Sequence, residues 1–222
     1  MQNKNIILKI CLVLLIASIL TFHEAIRLYF ISYLGSSSTF SFWIPLFLIL
    51  LISGIIGMIF WKSTYSTLIK SSILISFNIL ILGSLFLFHP YYPEDFENRS
   101  TMLTSEEYPL ATLDSISDKK ITCFFLVTCP YCETASRELN AHFKSKNIQD
   151  IEFVYYAYEK TADSLVNSQN IEVPYQNVES DIFFKVSGGQ FPVVIKRNDD
   201  NTIQYWFGND VNFGCFDALG DK

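Results

Sequence analysis

The predicted fold class has two parts: an N-terminal all-α membrane-spanning region of three helices, and a C-terminal α/β domain. Three observations lead there. The 222 residues are 50% apolar and only 17% charged, with a mean hydropathy of +0.27. That is too apolar for an ordinary soluble globule and far too apolar for a disordered chain. Charge is divided along the chain. Residues 1–92 hold five basic side chains and one acid, net +4, whereas 93–222 hold eleven basic and twenty-one acidic, net −10. Finally, three long apolar runs fill the first part, while β-prone and amphipathic helical segments alternate in the second. The acidic balance, with a pI near 5.0, lacks the basic patch of a nucleic-acid binder. Five cysteines are too few for a disulfide-stapled scaffold.

The membrane region, 1–90, is read as spans at about 6–25, 42–61 and 71–88. A bilayer-crossing helix needs roughly 20 apolar residues, which the second and third runs meet without a charge. Trp43, Trp61, Tyr65, Tyr91 and Tyr92 stand near run ends, where amphipathic rings favour the membrane–water boundary. The first run is expected to stay attached, because no small-x-small cleavage site follows Phe22. Glu24 and Arg27 are expected at the interface just beyond it. Lys4 and Lys9 precede the first span, and Lys62 and Lys70 bracket the second turn. The positive-inside rule then puts the N-terminus and that turn in the cytoplasm and everything after Phe88 on the other side. Residues 91–109, rich in Pro, Ser, Thr and acids, read as a linker.

The soluble domain, 110–222, reads as β-α-β-α-(α)-β-β-α. Ile121 to Val127 is a continuous apolar, β-prone run, as a strand buried on both faces requires. Glu133 to Lys146 carries Ala135, Leu139 and Phe143 at helical spacing. Ile151–Tyr158 is a second strand, Thr161–Gln169 and Asp181–Ser187 are short helices, and Gly188 to Pro192 is a turn. Val193–Lys196 and Ile203–Phe207 form a hairpin about Asn198-Asp199-Asp200-Asn201, and Val211–Leu219 closes as a helix.

Between the first strand and its helix stands Cys129-Pro130-Tyr131-Cys132. A Cys-x-x-Cys at such a junction reads as a dithiol redox motif. Unpaired N–H groups and the helix dipole at the start of the helix favour a thiolate on the first sulfur. Cys132, one turn on, lies behind it and can close the disulfide. Pro130 suits the first turn, where its missing N–H would be unpaired anyway. A structural zinc site is the competing reading. It would need two more ligands, and only Cys123, Cys215 and an isolated His142 are on offer, so no metal is expected. Cys123, Cys215 and Cys11 read as small buried hydrophobes. Gly188 and Gly189 serve backbone conformation, since no P-loop Lys-Ser/Thr follows.

Strand, Cys-Pro-Tyr-Cys, helix, and a later Phe191-Pro192 before a strand make residues 110–222 resemble the thioredoxin-fold superfamily. The resemblance implies a thioredoxin-like domain with a cis proline beside the dithiol, and gives Phe191 and Pro192 the role of shaping the substrate groove. The 63 residues from Cys129 to Pro192 resemble membrane-tethered bacterial members with a helical insertion, here 161–187. Gly188-Gly189 and Gln204-Tyr205-Trp206 more loosely resemble thioredoxin domains that follow DoxX/MauE-like membrane regions. The sequence departs from the family at Thr128, where thioredoxins have Trp, and at Cys123, where they have a buried Asp that assists proton transfer from the second cysteine. Pro130-Tyr131 resembles glutaredoxins and is near that of DsbA-type oxidases.

The expected activity is thiol–disulfide exchange at the outer face of a bacterial inner membrane, in the periplasm. Cys129 and Cys132 are the catalytic residues, with Pro130, Tyr131, Phe191 and Pro192 forming the motif and groove. No cofactor is expected. The partners would be protein thiols or disulfides, the membrane, and a redox protein that donates or accepts electrons, with no nucleic acid. One alternative is a membrane scaffold or adaptor whose domain binds partners without redox turnover. Another is an electron conduit across the bilayer, disfavoured because the spans hold Cys11 and no cysteine pair.

Overall fold

A computed structural model describes residues 2–61, 66–88, 91–104, 110–156, 162–200 and 202–220. The chain forms two compact units, 1–28 with 40–92, and 29–39 with 93–222.

The first unit is helical. It holds α1 (Gln2–Thr21), the start of α2 (His23–Leu34), α3 (Ser38–Trp61) from Phe40 onward, and α4 (Thr67–Phe88). Among the described residues, α3 alone is by itself both long and apolar enough to cross a membrane. Val13–Thr21 and His23–Leu34 qualify together as one span broken by a 71° bend, and Thr67–Leu80 is a shorter apolar stretch. The first expected span, 6–25, therefore runs across a helix break at Phe22. Arg27, expected at an interface, is only 4% exposed. Ile16, Ile19, Ile49 and Ile52 make a small core with Leu46, Ile56 and Phe77 around them. Ser53 Oγ donates to Asn78 Oδ1 at 2.8 Å, tying α3 to α4.

The second unit is a six-stranded mixed sheet in the order β1-β6-β5-β2-β3-β4. The strands are β1 (Thr101–Leu103), β2 (Ile121–Leu126), β3 (Ile151–Tyr156), β4 (Tyr175–Asn177), β5 (Val193–Arg197) and β6 (Ile203–Phe207). β2 runs parallel to β3 and antiparallel to β5, so it lies in the middle. Its side chains alternate between two cores. Ile121, Cys123 and Phe125 join one core, shared with α6 (Pro130–Lys144), α7 (Ala162–Gln169) and α9 (Phe213–Gly220). Phe124 joins the other, with Phe183 and Val186 of α8 (Ser180–Ser187) and Leu113 of α5 (Leu110–Asp114). Burial on both faces is why β2 reads as an unbroken apolar run.

The domain begins earlier than expected. The segment read as a linker carries a 3-10 turn, Pro93–Phe96, and β1, which pairs antiparallel with β6. Trp206 Nε1 donates to Asn98 Oδ1 at 2.8 Å, and Asn212 Nδ2 to the Glu94 carbonyl at 3.0 Å. The Phe96 and Phe213 rings lie 5.4 Å apart. Residues 29–39 are fastened to the same unit. Asp217 accepts from the Ser38 and Thr39 N–H groups at 2.6 and 3.1 Å, and the Ser38 hydroxyl donates to Glu138 Oε1 at 2.6 Å. Because that hydrogen goes to Glu138, His142 Nε2, 2.7 Å away, is the donor to the Ser38 oxygen.

Gly214 shows how tightly α9 sits on the early segment. A Cβ there would lie 2.4 Å from the Glu97 carbonyl carbon and 2.7 Å from Asn98 N. Gly214→Ala is expected to lower stability by about 1–3 kcal/mol through overpacking, read as a lower midpoint in thermal unfolding of the detergent-solubilised chain.

Candidate functional site

β2 ends at Leu126 and the chain turns at once into α6. Cys129 is the N-cap residue, with extended backbone (φ −93°, ψ 117°), and Pro130 opens the first turn. The Cys129 N–H donates to the Leu126 carbonyl at 3.0 Å and closes the turn. The Cys132 N–H donates to Cys129 Sγ at 3.5 Å, so a free donor of the helix start is aimed at that sulfur. Cys132 Sγ in turn accepts from the Leu126 N–H at 3.4 Å. Cys129 is partly exposed and Cys132 fully buried. Both thiols are free in this structure.

Burial pushes the Cys132 thiol well above its ordinary value of 9.0, against the opposing Leu126 N–H. Cys123 on β2 and Cys215 on α9 are fully buried, and desolvation raises both thiols as well. Within this domain, burial thus leaves the partly exposed Cys129 as the accessible thiol. Among the described residues no three His, Cys, Asp or Glu side chains converge as a metal site would require.

A cleft of about 320 Å³ opens beside the helix start. Tyr131 and Pro192 line it together with Thr134, Val211, Phe213 and Asp95. Tyr131 is 72% exposed. The Phe191–Pro192 peptide is cis. Phe191 lies outside the cleft lining, stacked on Phe183 at 5.1 Å and 17° and packed against both cores. Cys129, Pro130 and Cys132 are not among the lining residues either. The structure therefore brings Tyr131 and Pro192 to one surface and sets Phe191 behind it.

Asp95 escaped the sequence reading because its segment resembled a linker. Its carboxyl is raised, first by burial and then by neighbouring Glu94, with Arg99 opposing. Nothing in the local pattern announces it; only the pairing of 93–103 with β6 and α9 carries it to the cleft.

No family model matches this chain, and a comparison with curated proteins also finds no match. Among solved structures, a secreted Mycobacterium tuberculosis disulfide oxidoreductase homologous to E. coli DsbE is similar at 18% identity. The match covers 43% of this chain and 73% of that one, with a TM-score of 0.35.

Two outcomes follow from the burial of the thiols. In the reduced protein at neutral pH, iodoacetamide is expected to label Cys129 well before Cys132, Cys123 or Cys215, read by peptide mass spectrometry. A thiol raised in the folded state keeps its proton after the unfolded chain has lost its own. Stability of the reduced protein is therefore full below about pH 9 and falls as pH rises beyond it. Thermal unfolding of the reduced form at stepped alkaline pH checks this.

Proposed function

We propose that this chain is a membrane-anchored thiol–disulfide oxidoreductase with a thioredoxin-like domain outside the cytoplasm. One observation carries the reading: a partly exposed sulfur capping α6, with a second, buried sulfur one turn on. The cleft lined by Tyr131 and Pro192, next to the start of α6, supports a place for substrate.

In the reducing direction, the Cys129 thiolate attacks a substrate disulfide. The substrate S–S bond breaks, a mixed disulfide forms on Cys129, and one substrate sulfur leaves and takes up a proton. The Cys132 thiol then loses its proton and attacks Cys129 Sγ. The mixed disulfide breaks, the second substrate sulfur leaves as a thiol, and Cys129 and Cys132 are joined. Oxidation of a substrate dithiol is the same sequence reversed. A second redox protein, donor or acceptor of two electrons, resets the pair. Direction depends on the relative stability of the dithiol and the disulfide against the partner couple.

The membrane anchor rests on the charge division and on the helical unit. Its helices turn Phe47, Leu51 and Met58 of α3 and Leu68, Ile75 and Ile79 of α4 outward. Water penalises such a surface and hydrocarbon does not. Three crossings with Lys4, Lys9, Lys62 and Lys70 inside would leave the dithiol domain at the outer face of the inner membrane.

Cys129→Ser is expected to reduce insulin-disulfide reduction and dithiol oxidation to the uncatalysed rate. Cys132→Ser is expected to leave partners trapped on Cys129 as mixed disulfides, seen as reductant-sensitive bands on a gel. Full activity of Cys129→Ser would overturn the reading. An inactive wild type that traps nothing would point instead to a scaffold.

A further inference from the structure

The cleft beside the start of α6 is walled mainly by apolar side chains, among them Pro192, Val211, Phe213 and Phe216. Of its lining residues Asp95 alone bears a carboxylate, and none is basic. Asp95 stands on backbone that is pinned before and after it. The Glu94 carbonyl accepts from Asn212 Nδ2 at 3.0 Å, the Phe96 ring lies 5.4 Å from Phe213, and the Glu97 backbone lies against Gly214. Among the described residues no hydrogen bond or ion pair reaches its carboxylate. Arg99, the nearby cation, commits Nε and Nη2 to Glu97 Oε2 at 2.9 and 2.7 Å. Burial and the adjacent Glu94 both work against the charged form of Asp95, and a cation entering the cleft would offset both.

Apolar walls with one unpaired carboxylate are the complement of a lysine or arginine side chain. Its aliphatic stem packs along apolar surface while its charged head reaches a polar group. An apolar side chain in the same place would strip water from the carboxylate and return nothing. An acidic one would meet Asp95 and Glu94 with like charge. Tyr131, two residues after Cys129, lines the same cleft. A side chain entering it therefore belongs to a substrate segment close to the cysteine that bonds to Cys129. The net charge of −10 on residues 93–222 favours approach of a basic segment as well.

We propose that Asp95 is a specificity-determining residue of the exchange reaction, selecting substrate proteins in which lysine or arginine lies close to the reacting cysteine. The inference rests on the proposed function and names its substrate class. The bonds made and broken at Cys129 and Cys132 are unchanged.

The test uses the full chain in uncharged detergent, reduced, in a Cys11→Ser background so that the exposed Cys11 does not report. The probes are short peptides, each with one cysteine held as a mixed disulfide with thionitrobenzoate. A single lysine or glutamate is walked from three positions before that cysteine to three after it. The Cys129 thiolate attacks the peptide sulfur, the S–S bond to thionitrobenzoate breaks, and the coloured anion leaves, with the peptide now bonded to Cys129. Each rate is divided by that of the same peptide with mercaptoethanol, which removes the peptide's own reactivity. At one position or more, the wild type is expected to favour lysine over glutamate about tenfold. Asp95→Asn is expected to bring that ratio close to one, and Asp95→Lys to invert it. Asp199→Asn, which removes an equal charge from the exposed β5–β6 turn, is expected to keep the wild-type ratio. Both peptides meet the same sample, so a misfolded fraction slows both alike and leaves the ratio intact. Should no Asp95 variant fold, a carbodiimide applied to Cys132→Ser protein carrying the trapped lysine peptide is expected to join the peptide amine to Asp95, located by mass spectrometry. A wild-type ratio near one at every position, a ratio that survives Asp95→Asn, or coupling only to other carboxylates overturns the proposal and leaves the exchange reading standing. A wild type that takes up none of the peptides overturns that reading, and this inference with it.

Discussion

The hydrogen bond from the Leu126 N–H to Cys132 Sγ joins the three things the site needs. It comes from the last residue of β2, so its direction is fixed by a strand held on both sides by neighbours. It ends on the sulfur one turn into α6, so it fixes the rotation of that helix against the sheet. It also supplies the buried sulfur with a polar contact in surroundings that otherwise favour the neutral thiol. A central strand is the stiffest element a sheet offers. Placing the motif where such a strand becomes a helix gives Cys129 the helix-start N–H groups and Cys132 the shelter of the core in a single turn of chain.

The cleft depends on a different constraint, the closure of α9 on residues 93–103. Gly214 permits backbone-to-backbone approach at Glu97 and Asn98, and Trp206 and Asn212 hold the segment by polar contacts. The wall containing Val211 and Phe213 and the wall containing Asp95 are then brought opposite Tyr131 and Pro192. The surface beside the dithiol is thus assembled from residues more than a hundred positions apart in the chain.

That separation explains what could be read in advance. β2 was legible because burial on both faces leaves a continuous apolar run, and α6 because Ala135, Leu139 and Phe143 keep helical period. The dithiol was legible because its spacing is local. β1 and β4 were not. Each has three residues, and β1 is largely exposed, so neither leaves an apolar signature. Pro93–Phe96 and β1 lie in a stretch whose Pro, Ser and acids describe a linker equally well, and their order comes from distant partners. The helix break at Phe22 went unread because the apolar run was carried on to residue 25, although His23, Glu24 and Arg27 stand just beyond the bend. Phe191 and Pro192 were paired by sequence, yet Pro192 lines the cleft while Phe191 stacks inward on Phe183.

Four thiols share one domain, and burial divides their labour. A thiol is reactive in proportion to its thiolate and its access. Cys123 and Cys215 have neither: both are wholly buried, and each is pushed up by desolvation. Cys132 is held in the same core but differs by one backbone donor and by its nearness to Cys129. Its charge would be opposed by the same apolar surroundings that silence the other two. In the proposed exchange, a sulfur that waits for the mixed disulfide and then acts needs such an intermediate standing. It must be neutral enough not to react with passing oxidants and supported enough to ionise once its target lies beside it. In this core the support on view is a backbone dipole, the Leu126 N–H. A dipole that stays put favours the thiolate without itself changing protonation state, so the burial that keeps Cys132 quiet need not be undone for it to react.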